Sequence, residues 1–249
     1  MTTPSAHSEA ATKLVSGTGR VRHSVPSFDG VKFGFSGIRA RFRDKPGRLL
    51  RCIDPFSCEP VEFASPIQYE NWLLRRFDPS IVYLNATQDR WEALHRGRLL
   101  AVKPHLHWAR SSGANHLEIV AVPGKDVSTA ILDALQIVAH SHGLKPAIRT
   151  ATEIRKEPVL LDFLDRTRQR LVLHMREMRD VGVRNSILAT FRAGLEVRRG
   201  DVLSACVAAP ARIEAEIVDS ALFWLRQTRA LQFDFEGGRY DDQTVIRPT

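Results

Sequence analysis

The sequence predicts an α/β protein in which a mixed sheet is followed by helices and a short hairpin. Between residues 66 and 152, segments with strand-like alternation surround two segments with helical periodicity. After Pro158 helical patterns dominate, and the chain then forms two apolar segments around a Gly-Gly turn. We therefore expect two domains, over residues 26–157 and 158–249. Residues 1–25 are polar and poor in large apolar side chains, which indicates a disordered tail.

Positive charge is concentrated in two parts of the chain. The formal net charge is +8 over 249 residues, and the isoelectric point is near 9.9. Residues 1–60 carry ten Lys and Arg against five Asp and Glu, and residues 165–200 carry nine against four, so each part has a net charge of +5. Because binding of phosphates by Lys and Arg releases counterions, this pattern favours a nucleic-acid partner.

Membrane and secretory signals are not evident in the sequence. No apolar run approaches the roughly 18–20 residues that a membrane span needs. The first five residues lack the charged and apolar regions of a secretory signal. Cys52, Cys58 and Cys206 have no metal-ligand spacing and are typical of a reducing compartment. We expect a cytoplasmic protein without a membrane partner.

The first regular elements are an arm and a helix. Residues 28–63 alternate Gly, Arg and aromatic residues, which indicates short strands or an ordered arm that wraps the core. A helix begins at Pro66 with Ser65 as its N-cap, and it stops at Asp78 because a residue before proline is biased away from helix. Its apolar face contains Tyr69, Trp72, Leu73 and Phe77.

The sheet and its second helix follow. Turn signals at Gly97 and at residues 111–113 separate four predicted strands, over residues 81–84, 91–94, 98–107 and 116–122. A helix then begins at Asp126 or Ser128 and ends at Gly143. The last predicted strand covers residues 146–152.

The second half of the chain has the pattern of a winged helix. Helices are predicted over residues 160–178, from residues 187–191 onward, over 201–209 and over 212–229, followed by a hairpin of residues 231–235 and 240–246. The helix over 212–229 is the candidate recognition helix, and Arg239 lies at the tip of the wing. The predicted phosphate contacts are Arg155, Arg212, Arg226, Arg229 and Arg239.

The motifs between residues 70 and 155 occur in an order known from one protein family. They are Glu70, Phe77-Asp78-Pro79-Ser80-Ile81, Pro104-His105, Glu118-Ile119-Val120 and Thr152-Glu153-Ile154-Arg155. This order resembles the restriction-endonuclease-like domain of the TnsA-type endonuclease subunit of heteromeric transposases, which reads E…FDPxV…PD…EVK…TExxIR. The resemblance covers residues 60–157 by motif. It covers the rest by architecture, since TnsA-type proteins also have a winged-helix-like C-terminal domain.

The resemblance implies a divalent-metal nuclease site in which two positions have changed. In the family, a helical glutamate, the aspartate after proline and the strand glutamate bind Mg²⁺, and a lysine helps to activate water. Glu70 and Glu118 match the two glutamates. His105 replaces the aspartate and Val120 replaces the lysine. The favoured interpretation is an eroded site with weak or absent cleavage.

A second interpretation keeps the site active with different ligands. Alternation places His105 and His107 on one face of their strand, and His116 and Glu118 on one face of the next. If these faces coincide, imidazoles join Glu70 and Glu118 in one pocket, and such ligands suit Zn²⁺ or Mn²⁺ better than Mg²⁺. The lysine function would then have moved to Lys103 or Lys125.

The expected function follows from the resemblance. We expect a TnsA-like subunit of a transposition complex that binds double-stranded transposon-end DNA, a partner transposase and an ATPase, with weak or absent cleavage. One alternative is an active metal-dependent endonuclease with a site that contains histidine. The other is a non-enzymatic DNA-binding regulator.

Overall fold

The computed structural model describes residues 50–86, 89–121, 127–191, 195–209 and 212–249. These residues belong to one compact unit. The predicted tail and the first part of the predicted arm lie outside the described residues. Within the described ranges, no helix is long and apolar enough to cross a membrane.

The described elements of the first half alternate strands with helices. They are β1 (Leu50–Ile53), β2 (Pro60–Phe63), α1 (Pro66–Arg76), β3 (Ile81–Ala86), β4 (Trp91–His95), β5 (Arg98–Val102), β6 (Leu106–Arg110), β7 (Asn115–Val120), α2 (Thr129–Ser141), β8 (Lys145–Arg149) and α3 (Ala151–Ile154). The predicted mixed α/β class is therefore confirmed.

The β1–β2 hairpin is the described part of the predicted arm. Its strands are antiparallel. Phe56, in the turn between the strands, and Phe63, at the end of β2, are buried in the largest hydrophobic cluster of the described residues, which we call the main core. Arg76 at the end of α1 donates to the buried Asp54 at 2.8 Å. The prediction that this segment contains short strands against the core is confirmed for residues 50–63.

Helix α1 agrees with its sequence pattern. Ser65 occupies the N-cap with extended backbone angles, although its side chain makes no capping hydrogen bond, and Pro66 is the first helical residue. The helix ends at Arg76, directly before the Asp78-Pro79 pair. All four residues of the predicted apolar face are buried: Tyr69, Trp72, Leu73 and Phe77.

A four-stranded mixed sheet forms the centre of this half. Its strand order is β3-β6-β7-β8, with antiparallel pairing between the first three strands and parallel pairing between β7 and β8. Helix α2 makes the crossover that parallel neighbours require. Ser128 caps α2 by accepting a hydrogen bond from the N–H of Ile131, and Asp126 lies outside the described residues.

The two faces of the sheet are covered by different elements. Leu106 and Trp108 on β6 pack with residues of α1 in the main core. Leu117 and Ile119 on β7 pack on the other side with α2 and with the β4–β5 hairpin. The first half is therefore a sandwich of α1, the sheet, and a layer made of α2 and the hairpin.

The predicted strand over residues 98–107 is wrong as a single element. It is divided into β5, which pairs with β4 in a separate two-stranded sheet, and β6, which belongs to the central sheet. Lys103, Pro104 and His105 form the break. Pro104 has no N–H to donate to a neighbouring strand, so a ladder is interrupted at this position.

The end of the first half differs slightly from its prediction. Strand β8 ends at Arg149, and Thr152 lies in α3 rather than in the strand. Thr150 and Glu153 form a capping box, in which each side chain accepts a hydrogen bond from the other's backbone N–H. This reciprocal capping favours helix at residues 151–154.

The second half contains helices and a small antiparallel sheet. Its elements are α4 (Pro158–Leu173), a 3₁₀ turn (Glu177–Arg179), α5 (Val181–Leu188), β9 (Val197–Arg198), α6 (Arg199–Ala208), α7 (Ala215–Gln227), β10 (Leu231–Gln232), a 3₁₀ segment (Glu236–Gly238) and β11 (Val245–Pro248). The sheet order is β10-β11-β9. The helix expected to begin at residues 187–191 instead ends there, because Asp180 caps it earlier by accepting from the N–H of Val183.

Helix α7 lies at the centre of the packing between the two halves. Residues on nearly all of its sides are buried, including Val218, Leu222 and Phe223, which is typical of an interior helix. The rings of Phe223 and Phe77 meet edge to face with centroids 6.0 Å apart. One core thus contains residues from both sides of the expected boundary after residue 157, and the division into two domains stays a prediction.

Arg226 is part of this core. Only 7% of Arg226 is exposed. Its Nε donates to the carbonyl of Phe233 and one Nη donates to the carbonyl of Phe77, both at 2.8 Å. Burial lowers its pKa to about 10, against the opposing charges of Asp234 and Asp78. The predicted phosphate contact of Arg226 is therefore wrong, because its guanidinium is bound inside the protein. Beyond its first turn, α7 is buried on nearly all sides and does not present a face to a DNA groove.

Replacement of Arg226 by methionine should destabilise the fold strongly. Arg226→Met leaves two buried carbonyls without donors, and we expect the free energy of unfolding to fall by about 2–4 kcal/mol. The matched change at the exposed Arg229 should cost less than about 0.5 kcal/mol. Urea unfolding of both variants measures this difference, and equal effects would contradict the structural role of Arg226.

Candidate functional site

A buried carboxylate lies in the middle of the central sheet. Glu118 on β7 is 0% exposed. Its Oε2 accepts hydrogen bonds from Arg75 Nη2 at 2.7 Å and from Trp108 Nε1 at 2.8 Å. Its Oε1 accepts one from the side-chain amide of Asn71. A charge in the interior is strongly disfavoured unless it is paired, and here one ion pair and two further donors satisfy it.

The partners of Glu118 come from α1 and from the neighbouring strand. Asn71 and Arg75 are four residues apart and so lie on one side of the helix. Trp108 is opposite His116 in the β6–β7 ladder, while Glu118 is opposite Leu106, so Trp108 reaches the carboxylate diagonally. The Arg75 guanidinium also lies 4.3 Å from the centre of the Trp108 ring.

Asn71 connects Glu118 to a second arginine. Asn71 is 0% exposed, and its Oδ1 accepts a hydrogen bond from Arg149 Nη1 at 3.0 Å. Burial lowers the pKa of Arg149, as does the nearby charge of Arg75, whereas Glu118 and Glu153 act in the opposite direction. Two guanidinium groups are thus held around one buried carboxylate.

Glu70, the family's helical glutamate, has a different partner. Its two carboxylate oxygens accept from Arg155 Nε at 2.6 Å and Nη2 at 3.1 Å. Successive residues of a helix are rotated by about 100°, so the neighbour of Glu70 faces the sheet instead. The structure therefore brings Asn71, rather than Glu70, to Glu118.

His105 joins the start of β6 to β7. Its backbone N–H donates to the carbonyl of Glu118, and its Nδ1 accepts from the N–H of Val120, both at 2.8 Å. Burial lowers the pKa of His105 to about 4, although the charge of Glu118 acts in the opposite direction. The ring is therefore neutral at ordinary pH, with its proton on Nε2.

The other two histidines lie on opposite faces of the sheet. His107 is opposite Leu117, and its ring contacts those of Tyr83 and Trp91 at centroid distances of 5.0 and 5.5 Å. His116 stacks on Trp108 at 4.0 Å. Cross-strand partners share a face, so the faces of His107 and His116 do not coincide. The condition for the cluster of imidazoles is not met.

The described residues do not suit a divalent metal. Glu118 is neutralised by Arg75, Glu70 by Arg155, and the Nδ1 of His105 is occupied by the N–H of Val120. Nowhere in the described ranges do three or more His, Cys, Asp or Glu side chains form a group that could hold a metal ion. Mg²⁺ at Glu70, His105 and Glu118 stays a prediction from the resemblance. Mn²⁺ or Zn²⁺ at these residues with His107 and His116 stays a prediction from the alternation of the strands.

Val120, which the resemblance matches to the lysine of the TnsA-type motif, is buried among apolar side chains. Val120 is 2% exposed and packs with Ile67 and Ile154 in a small apolar cluster. Lys103, one proposed replacement, is exposed, and Lys125, the other, lies outside the described residues. No lysine among the described residues bonds to Glu118, because Asn71, Arg75 and Trp108 hold its carboxylate.

The predicted DNA contacts are placed in different surroundings. Arg155 is held by Glu70, and Arg239 is exposed but paired with Asp241 at 2.9 Å. Arg212 and Arg229 are exposed, with backbone φ angles of 44° and 61°. These four side chains remain predicted phosphate contacts.

A group of cations that the sequence did not reveal borders Glu118. We call it the basic strip, and it consists of Arg75, Arg110, Lys145 and Arg149. All four lie on the face of the sheet that α1 covers, because Arg110 alternates in phase with Trp108, and Lys145 and Arg149 are opposite His116 and Val120. The alternation of Lys145 and Arg149 along one strand was a signal in the sequence. Their approach to α1 was not, since it depends on strand order.

Comparison of the chain with protein-family models and with curated proteins gave no match. The likeness to TnsA-type subunits therefore rests on the motif order of the sequence. The arrangement of the side chains at this site rests on the contacts described above.

The two family glutamates should differ strongly in their effect on stability. Glu118→Ala leaves Arg75, whose side chain is only 15% exposed, without a counter-charge, and we expect a loss of about 3–5 kcal/mol in the free energy of unfolding. Glu70→Ala removes a partly exposed pair and should cost at most about 1 kcal/mol. Denaturant unfolding compares the two variants. A Glu118→Ala protein as stable as the Glu70→Ala protein would show that the buried pair does not form.

His105 should make stability depend on pH. Its pKa falls from 6.5 in the unfolded chain to about 4 in the fold, so the unfolded chain binds an extra proton between these values. The contribution of His105 to the free energy of unfolding is complete above the pKa of the unfolded chain. It is lost as the pH falls through the pKa of the folded protein. In His105→Asn the amide oxygen can still accept from Val120 but does not titrate. The slope of unfolding free energy against pH should therefore be smaller than in the wild type, while His140→Asn at an exposed site keeps it.

Proposed function

We propose that this protein is a DNA-binding subunit related to the TnsA-type endonucleases, and that its nuclease-like core holds DNA without cutting it. The observation that carries this proposal is the ion pair of Glu118 with Arg75 in the interior of the sheet. The charge of this carboxylate is already neutralised by a guanidinium, and both of its oxygens already accept hydrogen bonds, so it is a poor ligand for a metal ion. The transposition complex, its transposase and its ATPase are part of this proposal.

The order of the elements supports a restriction-endonuclease-like core. Helix α1 carries Glu70 before the sheet, β7 in the sheet carries Glu118, and α2 leads to the parallel strand β8. The Thr152–Arg155 segment follows β8 directly and forms most of α3. The motif positions thus occur on a helix, on a central strand and after the last strand, as the resemblance implies.

The second half supports a winged-helix-like domain with an altered use. Helices α5, α6 and α7 precede the β10–β11 pair, and β9 completes a three-stranded antiparallel sheet. Because α7 is buried, we propose that this domain contacts a partner protein rather than reading a DNA groove. Exposed apolar side chains are available for such a contact, among them Leu173, Val181 and Leu195.

Absence of cleavage with retention of DNA binding is the expected result. We expect no nicking of supercoiled plasmid by the wild type in Mg²⁺, Mn²⁺ or Zn²⁺, and a gel-shift complex with duplex DNA in each. Glu70→Ala should bind DNA at least as tightly as the wild type does, since Glu70 pairs with Arg155 and its removal frees that cation. Metal-dependent nicking that Glu70→Ala abolishes would contradict the proposal. Nicking in Mn²⁺ or Zn²⁺ that His105→Ala abolishes would instead favour the active histidine site.

The satisfied carboxylate equally fits a DNA-binding regulator that works without a transposase. The partner distinguishes these two functions. A transposition subunit should be encoded beside a transposase and an ATPase and should copurify with them when they are produced together, whereas a regulator should not.

A further inference from the structure

The basic strip carries more positive than negative charge. Arg75, Arg110, Lys145 and Arg149 contribute four cations. Two carboxylates lie near them: Glu118, which bonds to Arg75, and Glu153, which is held by the backbone and hydroxyl of Thr150. The local balance is therefore +2. Arg110 and Lys145 are exposed and form no salt bridge with any residue that the structure describes.

The two inner arginines are held in place by the fold. Arg75 is fixed by Glu118 and by the ring of Trp108, and Arg149 is fixed by Asn71. A cation that is already ordered loses little conformational entropy when it binds an anion.

Three cations of the basic strip lie close enough to His116 to affect its pKa. Burial lowers the pKa of His116, and the cations Lys145, Arg110 and Arg75 lower it further, while Glu118 opposes them. The ring stacks on that of Trp108, over which the guanidinium groups of Arg75 and Arg110 also lie, at 4.3 and 5.6 Å from its centre. Three cations of the strip thus lie near one pair of stacked rings.

The length of the strip fits a phosphate backbone. Lys145 and Arg149 are four residues apart on β8, which corresponds to about 13 Å along a strand. One strand of duplex DNA presents a phosphate about every 3.4 Å along the helix axis, so the strip faces several successive phosphates. A single free phosphate ion would use only part of it.

We propose that the basic strip binds the phosphodiester backbone of DNA without a divalent cation, with Arg75 as the fixed positive charge that neutralises Glu118. The inference rests on the proposed DNA-binding function and assigns its site. A metal nuclease neutralises its carboxylates and the phosphate with a bound ion. In this chain the guanidinium of Arg75 neutralises the carboxylate of Glu118 in place of a metal ion. Arg110, Lys145 and Arg149 bind the phosphates.

The test is binding of a fluorescent DNA duplex to the full chain in EDTA, measured by polarisation at several salt concentrations. Arg110→Ala and Lys145→Ala change exposed side chains and should leave the fold intact. Each should raise the Kd about five- to tenfold for any sequence and reduce the salt slope by about one. Arg98→Ala is the matched control, because Arg98 is an exposed arginine on the β4–β5 hairpin, which covers the other face of the sheet.

Each outcome of the experiment bears on the assignment. Weaker binding by the two strip variants, with no effect of Arg98→Ala or of EDTA, supports it. Binding by the wild type that neither strip variant weakens overturns the site but leaves the proposed function standing. A wild type that binds no duplex overturns both. Loss of binding in EDTA, or displacement of the duplex by millimolar inorganic phosphate, overturns the metal-free backbone site.

Discussion

The ion pair between Glu118 and Arg75 is the constraint around which the site is built. A carboxylate in the middle of a sheet must find donors, and α1 supplies the charged one that bonds to it, Arg75. Asn71 and Arg75 therefore both face the sheet, and their spacing of one helical turn fixes the rotation of α1. That rotation in turn directs Glu70 away from Glu118 and towards Arg155.

The two residues that differ from the TnsA-type motif both have structural contacts in this arrangement. His105 connects two strands, because its ring accepts a hydrogen bond from the N–H of Val120. Val120 closes the region with apolar contacts instead of presenting a charge. Arg75 then supplies the positive charge that Glu118 requires. At each of these positions the side chain takes part in packing, hydrogen bonding or an ion pair within the fold, so none of them is left free for a metal ion.

Much of the fold was predictable from local patterns, whereas the site was not. The faces of α1 and the positions of α2 and α6 follow from periodicity and caps, which act within a few residues. The requirement that Glu118 be paired was also evident from its apolar strand. Its actual partners, and the burial of α7 and Arg226, depend on which distant elements meet, and no local pattern contains that information. The break between β5 and β6 did have a local signal, since Pro104 has no N–H to donate to a neighbouring strand.

The position of Arg226 has a consequence for how the chain folds during synthesis. Its guanidinium joins the carbonyl of Phe77 to that of Phe233, so this contact can form only after the chain has been synthesised beyond Phe233. Until then the carbonyl of Phe77 has no such donor, and the apolar surface around Phe77 has no Phe223 to cover it. The first half of the fold therefore exposes apolar surface, to which a chaperone can bind, until α7 packs against it.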